Sequence, residues 1–80
     1  MKIINIQYFA VVKDLVGVSE EIVKTSAELA SDLFAEICNR YHLKMPISQL
    51  RVAVNDEFCE WGYVLKEGDK VVFIPPVSGG

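Results

Sequence analysis

The chain lacks most of the residues with which a small protein does chemistry inside its own fold. Among its 80 residues are only two cysteines, Cys38 and Cys59. They are too few and too far apart for a disulfide scaffold, and they lack the spacing of a metal site. The single histidine, His42, has no second histidine and only Cys38, four residues before it, which is too little to complete a metal or catalytic set. No glycine-rich phosphate loop is present. Positive charge is scarce: eight Lys and Arg against eleven Asp and Glu give a formal charge of −3. The basic residues are scattered, which argues against a nucleic-acid partner, because phosphate recognition draws on clustered Lys and Arg. No apolar run approaches the roughly 18 residues of a membrane span, and the chain starts in a strand-like pattern rather than a signal peptide. These absences point to a reducing, cytoplasmic setting with no membrane, no nucleic acid, no metal and no bound cofactor.

What is present is apolar material, 51% of the residues against 24% charged, enough for one core in a single small domain. Lys2 to Phe9 alternates, with Ile4, Ile6 and Tyr8 on one side and Asn5 and Gln7 on the other, the period of a half-buried strand. Ala10 to Val16 carries Val12, Leu15 and Val16 at helical spacings and stops at Gly17, a residue suited to a left-handed cap. Glu20 to Thr25 is read as a second strand, with Ile22 inward and Lys24 outward. Thr25 or Ser26 is placed to cap the main helix, Thr25 in a capping-box pattern with Glu28. Leu29, Leu33, Ile37 and Tyr41 then recur every fourth residue, and Phe34 and Cys38 widen the stripe.

Beyond the helix Pro46 closes an irregular stretch, and Leu50 to Asn55 reads as a strand with Val52 and Val54 inward and Arg51 in water. Asn55-Asp56 is turn chemistry, Phe58 and Cys59 suit a short returning strand, Lys66 to Asp69 a tight turn, and Lys70 to Ile74 the last long strand. Two strands, a helix and further strands place one helix across a face of a mixed sheet, an α+β arrangement. The ubiquitin-like β-grasp fits this order best. A split βαβ arrangement needs a second full helix after Gly62, where the chain is too short and too strand-like. The expected organisation is a β-grasp domain over 1–76 and a flexible reactive tail over 77–80.

The tail carries the functional signal. Pro75-Pro76 stops the last strand, since neither residue can donate to a ladder and both fix φ near −65°. Val77-Ser78-Gly79-Gly80 follows, and the two glycines are thin enough to enter a narrow slot in another protein. The carboxylate of Gly80 is unhindered, but a carboxylate is a poor acyl donor until it is activated, for example as an acyl-adenylate. An ATP-using partner must therefore supply the catalysis.

Gly68-Asp69-Lys70-Val71-Val72-Phe73-Ile74-Pro75-Pro76-Val77-Ser78-Gly79-Gly80 resembles the C-terminal signature of the molybdopterin synthase small subunit family. Tyr8-Phe9-Ala10 followed by Val12, Leu15 and Gly17 resembles that family's first strand and short helix, and Val52-Ala53-Val54-Asn55 its third strand and turn. The resemblance implies a cycle. A ubiquitin-activating-like adenylyltransferase adenylates Gly80 at the expense of ATP, a sulfur donor converts it to a thiocarboxylate, and the large synthase subunit uses that sulfur. Two such transfers convert a cyclic pyranopterin monophosphate into the molybdopterin dithiolene, within a heterotetramer of two small and two large subunits. On this reading the chain is non-catalytic alone, Gly80 and Gly79 are its reactive end, and Phe9, Phe58, Ile74, Pro75, Pro76, Val77 and Ser78 meet partners. Phe9 and Ile74 fall on the strand face opposite Tyr8 and Phe73.

Three other readings stand beside it: a carrier for thiamine synthesis or transfer-RNA thiolation, a ubiquitin-like modifier joined to lysines, and a β-grasp binding module with an idle tail. The iron–sulfur version of the fold needs four cysteines. Cys38 is read as core and His42 as a surface residue. The pairs Glu20-Glu21 and Asp56-Glu57 are read as solvated, since neighbours on a strand point to opposite faces. Trp61 and Tyr63 suit either a binding surface or the packing of an irregular connection.

Overall fold

The computed structural model describes residues 1–75. Alternation sets the first strand, β1, over Lys2–Tyr8, with Ile4, Ile6 and Tyr8 buried. A short helix, α1, covers Ala10–Val16 and ends at Gly17 (φ 96°), whose N–H donates to the Lys13 carbonyl at 2.8 Å. Strand β2 spans Glu20–Thr25, helix α2 Ala30–Tyr41, β3 Arg51–Val54, β4 Glu57–Cys59 and β5 Lys70–Ile74. A 3-10 turn at Ile47–Gln49, which the sequence reading did not foresee, leads from Pro46 into β3.

The five strands form one mixed sheet in the order β2-β1-β5-β3-β4. β1 and β5 run parallel at its centre, and the other three pairings are antiparallel. The α2 helix lies on one face, burying Ala30, Leu33, Phe34 and Ile37 against Ile4, Ile6, Val52, Val54, Val71 and Phe73. This is the ubiquitin-like β-grasp. The opposite sheet face has no layer over it among the described residues.

Two expectations are corrected. Ile22 does not point inward: it is 72% exposed, while Val23 and Thr25 face the core. A strand has period two, so Ile22 and Lys24 share the outer face. Nor does Thr25 cap α2. Its hydroxyl accepts the N–H of Ala27 (2.9 Å) and donates to Glu36 (2.6 Å), tying the end of β2 to the helix flank. The helix starts five residues later with Leu29 in the cap position, whose N–H donates to Asp32 Oδ2 at 3.2 Å. The free N–H groups of its first turn need acceptors. Ala30 and Ser31 find them in the carbonyls of Tyr63 and Trp61, both at 3.0 Å.

That docking decides the Trp61–Leu65 connection, which the sequence left open. Trp61 stacks on Phe73 (6.0 Å, 13°) and meets Phe34 at 5.6 Å, so it packs against the core beside α2. Glu21 is also not simply solvated. Its carboxylate accepts the hydroxyls of Tyr8 (2.6 Å) and Tyr41 (2.8 Å), and Arg40 lies 3.8 Å away. A buried phenol needs such an acceptor, and β2 offers one. Burial, then the bond to Glu21 and its charge, push the Tyr8 hydroxyl well above the ordinary tyrosine value. For Tyr41 the bond to Glu21 leads and burial follows.

Candidate functional site

The outer face of the sheet is built by the same alternation that fills the core. Because Tyr8 and Phe73 point inward, Phe9 and Ile74 emerge on the other side. Ladder register then sets their neighbours: Phe58 lies opposite Ala53, Ala53 opposite Val72, and Val72 beside Gln7, in one row across four strands. Ala53 and Val72 form its buried floor, and Phe9 and Phe58, 50% and 60% exposed, stand as walls. Together with Ile74 they line a shallow depression of about 240 Å³. Three of the seven residues expected to meet partners are thus brought to one place.

Phe9 owes its position to a strained step. Ala10, the next residue, has φ 51°, in the left-handed region that non-glycine residues seldom occupy. This bend turns the chain from β1 into α1, while the Phe9 carbonyl accepts the N–H of Val12 at 3.1 Å. Phe58 is carried by the β3–β4 hairpin. Both residues of its turn, Asn55 (φ 53°) and Asp56 (φ 72°), have positive φ, the mark of a type I′ turn. Asn55 is held from three sides: it donates to Asp69 Oδ1 (3.0 Å) and to the Lys70 carbonyl (2.8 Å), and accepts the Lys70 N–H (3.0 Å). Buried Asp69 in turn accepts the Lys66 N–H at 2.8 Å. The turn that aims Phe58 and the turn that starts β5 are one hydrogen-bonded unit.

Arg51, read from the sequence as a residue facing water, is exposed as expected but also makes a contact that the sequence did not reveal. Its guanidinium lies 4.4 Å above the Phe58 ring and its backbone is opposite Ile74. Among the described residues it has no acidic partner. The sequence did hold a signal: with Val52 and Val54 inward, Arg51 and Ala53 must share the outer face. Pro75, half-buried, follows Ile74 and is the last described residue. Pro76, Val77, Ser78, Gly79 and Gly80, all assigned to the reactive end or to partner contacts, lie outside the described residues.

No cluster of three or more His, Cys, Asp or Glu placed to hold a metal occurs among the described residues. His42 is an exposed helix terminus in the left-handed conformation (φ 59°). Burial raises the pKa of both thiols, and at Cys59 the charges of Glu60 and Asp69 add to it, so both are held as poor nucleophiles. No described helix is long and apolar enough to cross a membrane.

Comparison with known proteins agrees with this geometry. The model of the ThiS family matches residues 6–80, which include both the depression and the chain's last residues. The molybdopterin synthase sulfur carrier subunit of Anopheles gambiae is 32% identical over 83 residues, covering 96% of this chain and 91% of that protein. The solved structure of a putative molybdopterin converting factor, subunit 1, from Pyrococcus furiosus superposes with a TM-score of 0.80 at 29% identity, covering 96% of this chain and all of that one. A chain in the solved complex of subunits 1 and 2 of the molybdopterin-converting factor from Helicobacter pylori has the same fold, with a TM-score of 0.68 at 24% identity over 98% of this chain and 99% of that one. A shared fold, near-complete coverage and the family match together establish that the chain belongs to the ThiS family.

Proposed function

We propose that this chain is the sulfur-carrier subunit of a molybdopterin synthase. The observation that carries the proposal is the convergence of Phe9, Phe58 and Ile74 on one depression at the end of β5, the strand that leads through Pro75 to Gly80. An apolar face beside a reactive end lets a partner grip the carrier while the chain's last residues reach into that partner's active site. The names of its relatives support the reading, as does the two-subunit complex of the Helicobacter pylori protein.

In the proposed cycle the Gly80 carboxylate attacks the α-phosphorus of ATP on the adenylyltransferase, releasing pyrophosphate and leaving an acyl-adenylate. Hydrosulfide released by a sulfur donor attacks the acyl carbon and expels AMP, which gives the thiocarboxylate. Its sulfur is the nucleophile toward the cyclic pyranopterin monophosphate on the large subunit. Hydrolysis of the resulting acyl–sulfur bond leaves sulfur on the product and restores the carboxylate. Two rounds complete the dithiolene, in an assembly of two small and two large subunits. This chain supplies the carried group and the docking face; ATP and the catalytic groups belong to its partners. The two free thiols suit a reducing cytoplasm.

Deletion of Gly80, or addition of one residue after it, tests the proposal. Folding is expected to be unchanged by circular dichroism, while the large subunit, an activating enzyme, ATP and a sulfur donor no longer yield molybdopterin. Undiminished product formation by either variant would overturn the reading. Gly80 found in amide linkage to lysines, by mass spectrometry of the protein from its own cells, would replace it with a modifier role.

A further inference from the structure

The sheet has two edges, and they differ. β4 is three residues long and sits beside the docking face, whereas β2 has six residues and lies at the far side of the sheet. In the β1–β2 ladder the Tyr8 N–H donates to the Ser19 carbonyl at 2.9 Å, and the register pairs Ile6 with Glu21 and Ile4 with Val23. Hydrogen-bonded pairs alternate along an antiparallel ladder. The backbone groups of Glu21, Val23 and Thr25 therefore face β1, and those of Glu20, Ile22 and Lys24 face outward. No described residue bonds to them outside that ladder.

The side chains of the same three residues stand exposed on the outer face, with Ile22 72% accessible. Their order is acidic, apolar, basic. Placing a two-fold axis at Ile22 sets Ile22 against Ile22 of a second copy, Glu20 against Lys24 of that copy, and Lys24 against its Glu20. Inner and outer faces stay matched, because residues i and j pair with an even sum. The register also makes each of these a hydrogen-bonded pair, about six backbone bonds in all.

We infer that β2 pairs with β2 of a second copy of this chain, in the register centred on Ile22, to make a two-fold dimer with a continuous ten-stranded sheet. Charged residues on an exposed edge ordinarily block such pairing. Here the register makes their charges complementary and turns the block into a selector for the antiparallel alignment. The edge is small, so the dimer is weak. The face bearing Phe9, Phe58 and Ile74 lies over the other strands, so both copies keep it free. The dimer is independent of the chemistry assigned to Gly80.

Sedimentation equilibrium of the full chain over a concentration series measures the association. Lys24→Glu sets Glu20 against a glutamate twice per dimer and is expected to weaken association about tenfold. The double exchange Glu20→Lys with Lys24→Glu restores opposite charges in the same register and is expected to return it to near the wild-type value. A wild-type chain that remains monomeric at millimolar concentration overturns the inference, as does a double exchange that stays as weak as the single one. Amide shifts of the unaltered protein, followed against its concentration, give a reading that needs no variant. Changes centred on Glu20, Ile22 and Lys24 are expected; changes centred on Phe58 and Ile74 instead would assign the contact to the other face and overturn it.

Discussion

Single side chains divide here between those that hold the fold and those left exposed beside the end of β5, and burial separates the two. Phe58 is 60% exposed, so its removal forfeits little burial, and the main intramolecular loss is the contact with Arg51, about 0.5–1 kcal/mol. Phe58→Ala is therefore expected to shift the urea midpoint only slightly. Under the proposed function it weakens binding to the large subunit tenfold or more, about 1.4 kcal/mol or above, as calorimetric titration would show. A variant that binds as well as the wild type would remove Phe58 from the docking face. The outward placement of Phe9 and Ile74 was legible because alternation alone assigns a strand residue to a face. Arg51 faces solvent as an arginine in a strand is expected to, but its contact was not legible. Only the pairing of β3 with β4 shows that it rests on an aromatic ring.

Among the elements, the β3–β4 hairpin is the best place to improve the molecule. Asp56 holds φ 72° at the second turn position, where glycine is the favoured residue of a type I′ turn and any side chain is disfavoured. Asp56→Gly gives up an exposed ion pair with Lys70 (2.8 Å), worth a few tenths of a kcal/mol. The relief of strain exceeds that loss, and a net gain of about 0.5 kcal/mol is expected in urea denaturation. A decrease would mean that the Lys70 pair matters more than the backbone. The sequence marked Asn55-Asp56 as a turn, and it marked α1 and its Gly17 stop correctly. It misplaced the start of α2 because the Thr25 and Glu28 spacing imitates a capping box. In the structure the Thr25 hydroxyl is engaged by Ala27 and Glu36, and the helix instead begins where Trp61 and Tyr63 supply acceptors from far along the chain.

For the whole molecule, pH is the condition most directly tied to internal bonding. Tyr8 and Tyr41 both titrate above the ordinary phenol value of 10.0 when folded, so the folded state holds these protons more tightly than the unfolded chain. Their stabilisation is complete below pH 10 and is lost as the pH rises past it, because the unfolded phenols then ionise while the folded ones do not. Where only the unfolded form of a group is ionised, the loss is about 1.4 kcal/mol per pH unit for that group. The thiols, raised from 9.0, act in the same sense slightly earlier. Urea midpoints measured from pH 8 upward should fall increasingly steeply, and Tyr8→Phe should lessen that slope while lowering stability at neutral pH by about 1 kcal/mol. An unchanged slope in Tyr8→Phe would show that the phenol's bond to Glu21 does not govern alkaline unfolding.

Local pattern determined much of this protein by itself. Period two and period near four set the strands and helices, and the run from Gly68 to Gly80 carried the family resemblance, because these features depend only on residues close together in the chain. Tertiary structure alone decided which face Ile22 occupies, how Trp61 and Tyr63 are used, why Glu21 is bonded, and that Arg51 sits on Phe58. Each of these depends on a partner distant in sequence, such as Tyr8 for Glu21 or the carbonyl of Trp61 for Ser31. A polar or apolar side chain takes its role from what packing brings against it, and that is specified by the register of the sheet and the crossing of the helix rather than by neighbours along the chain.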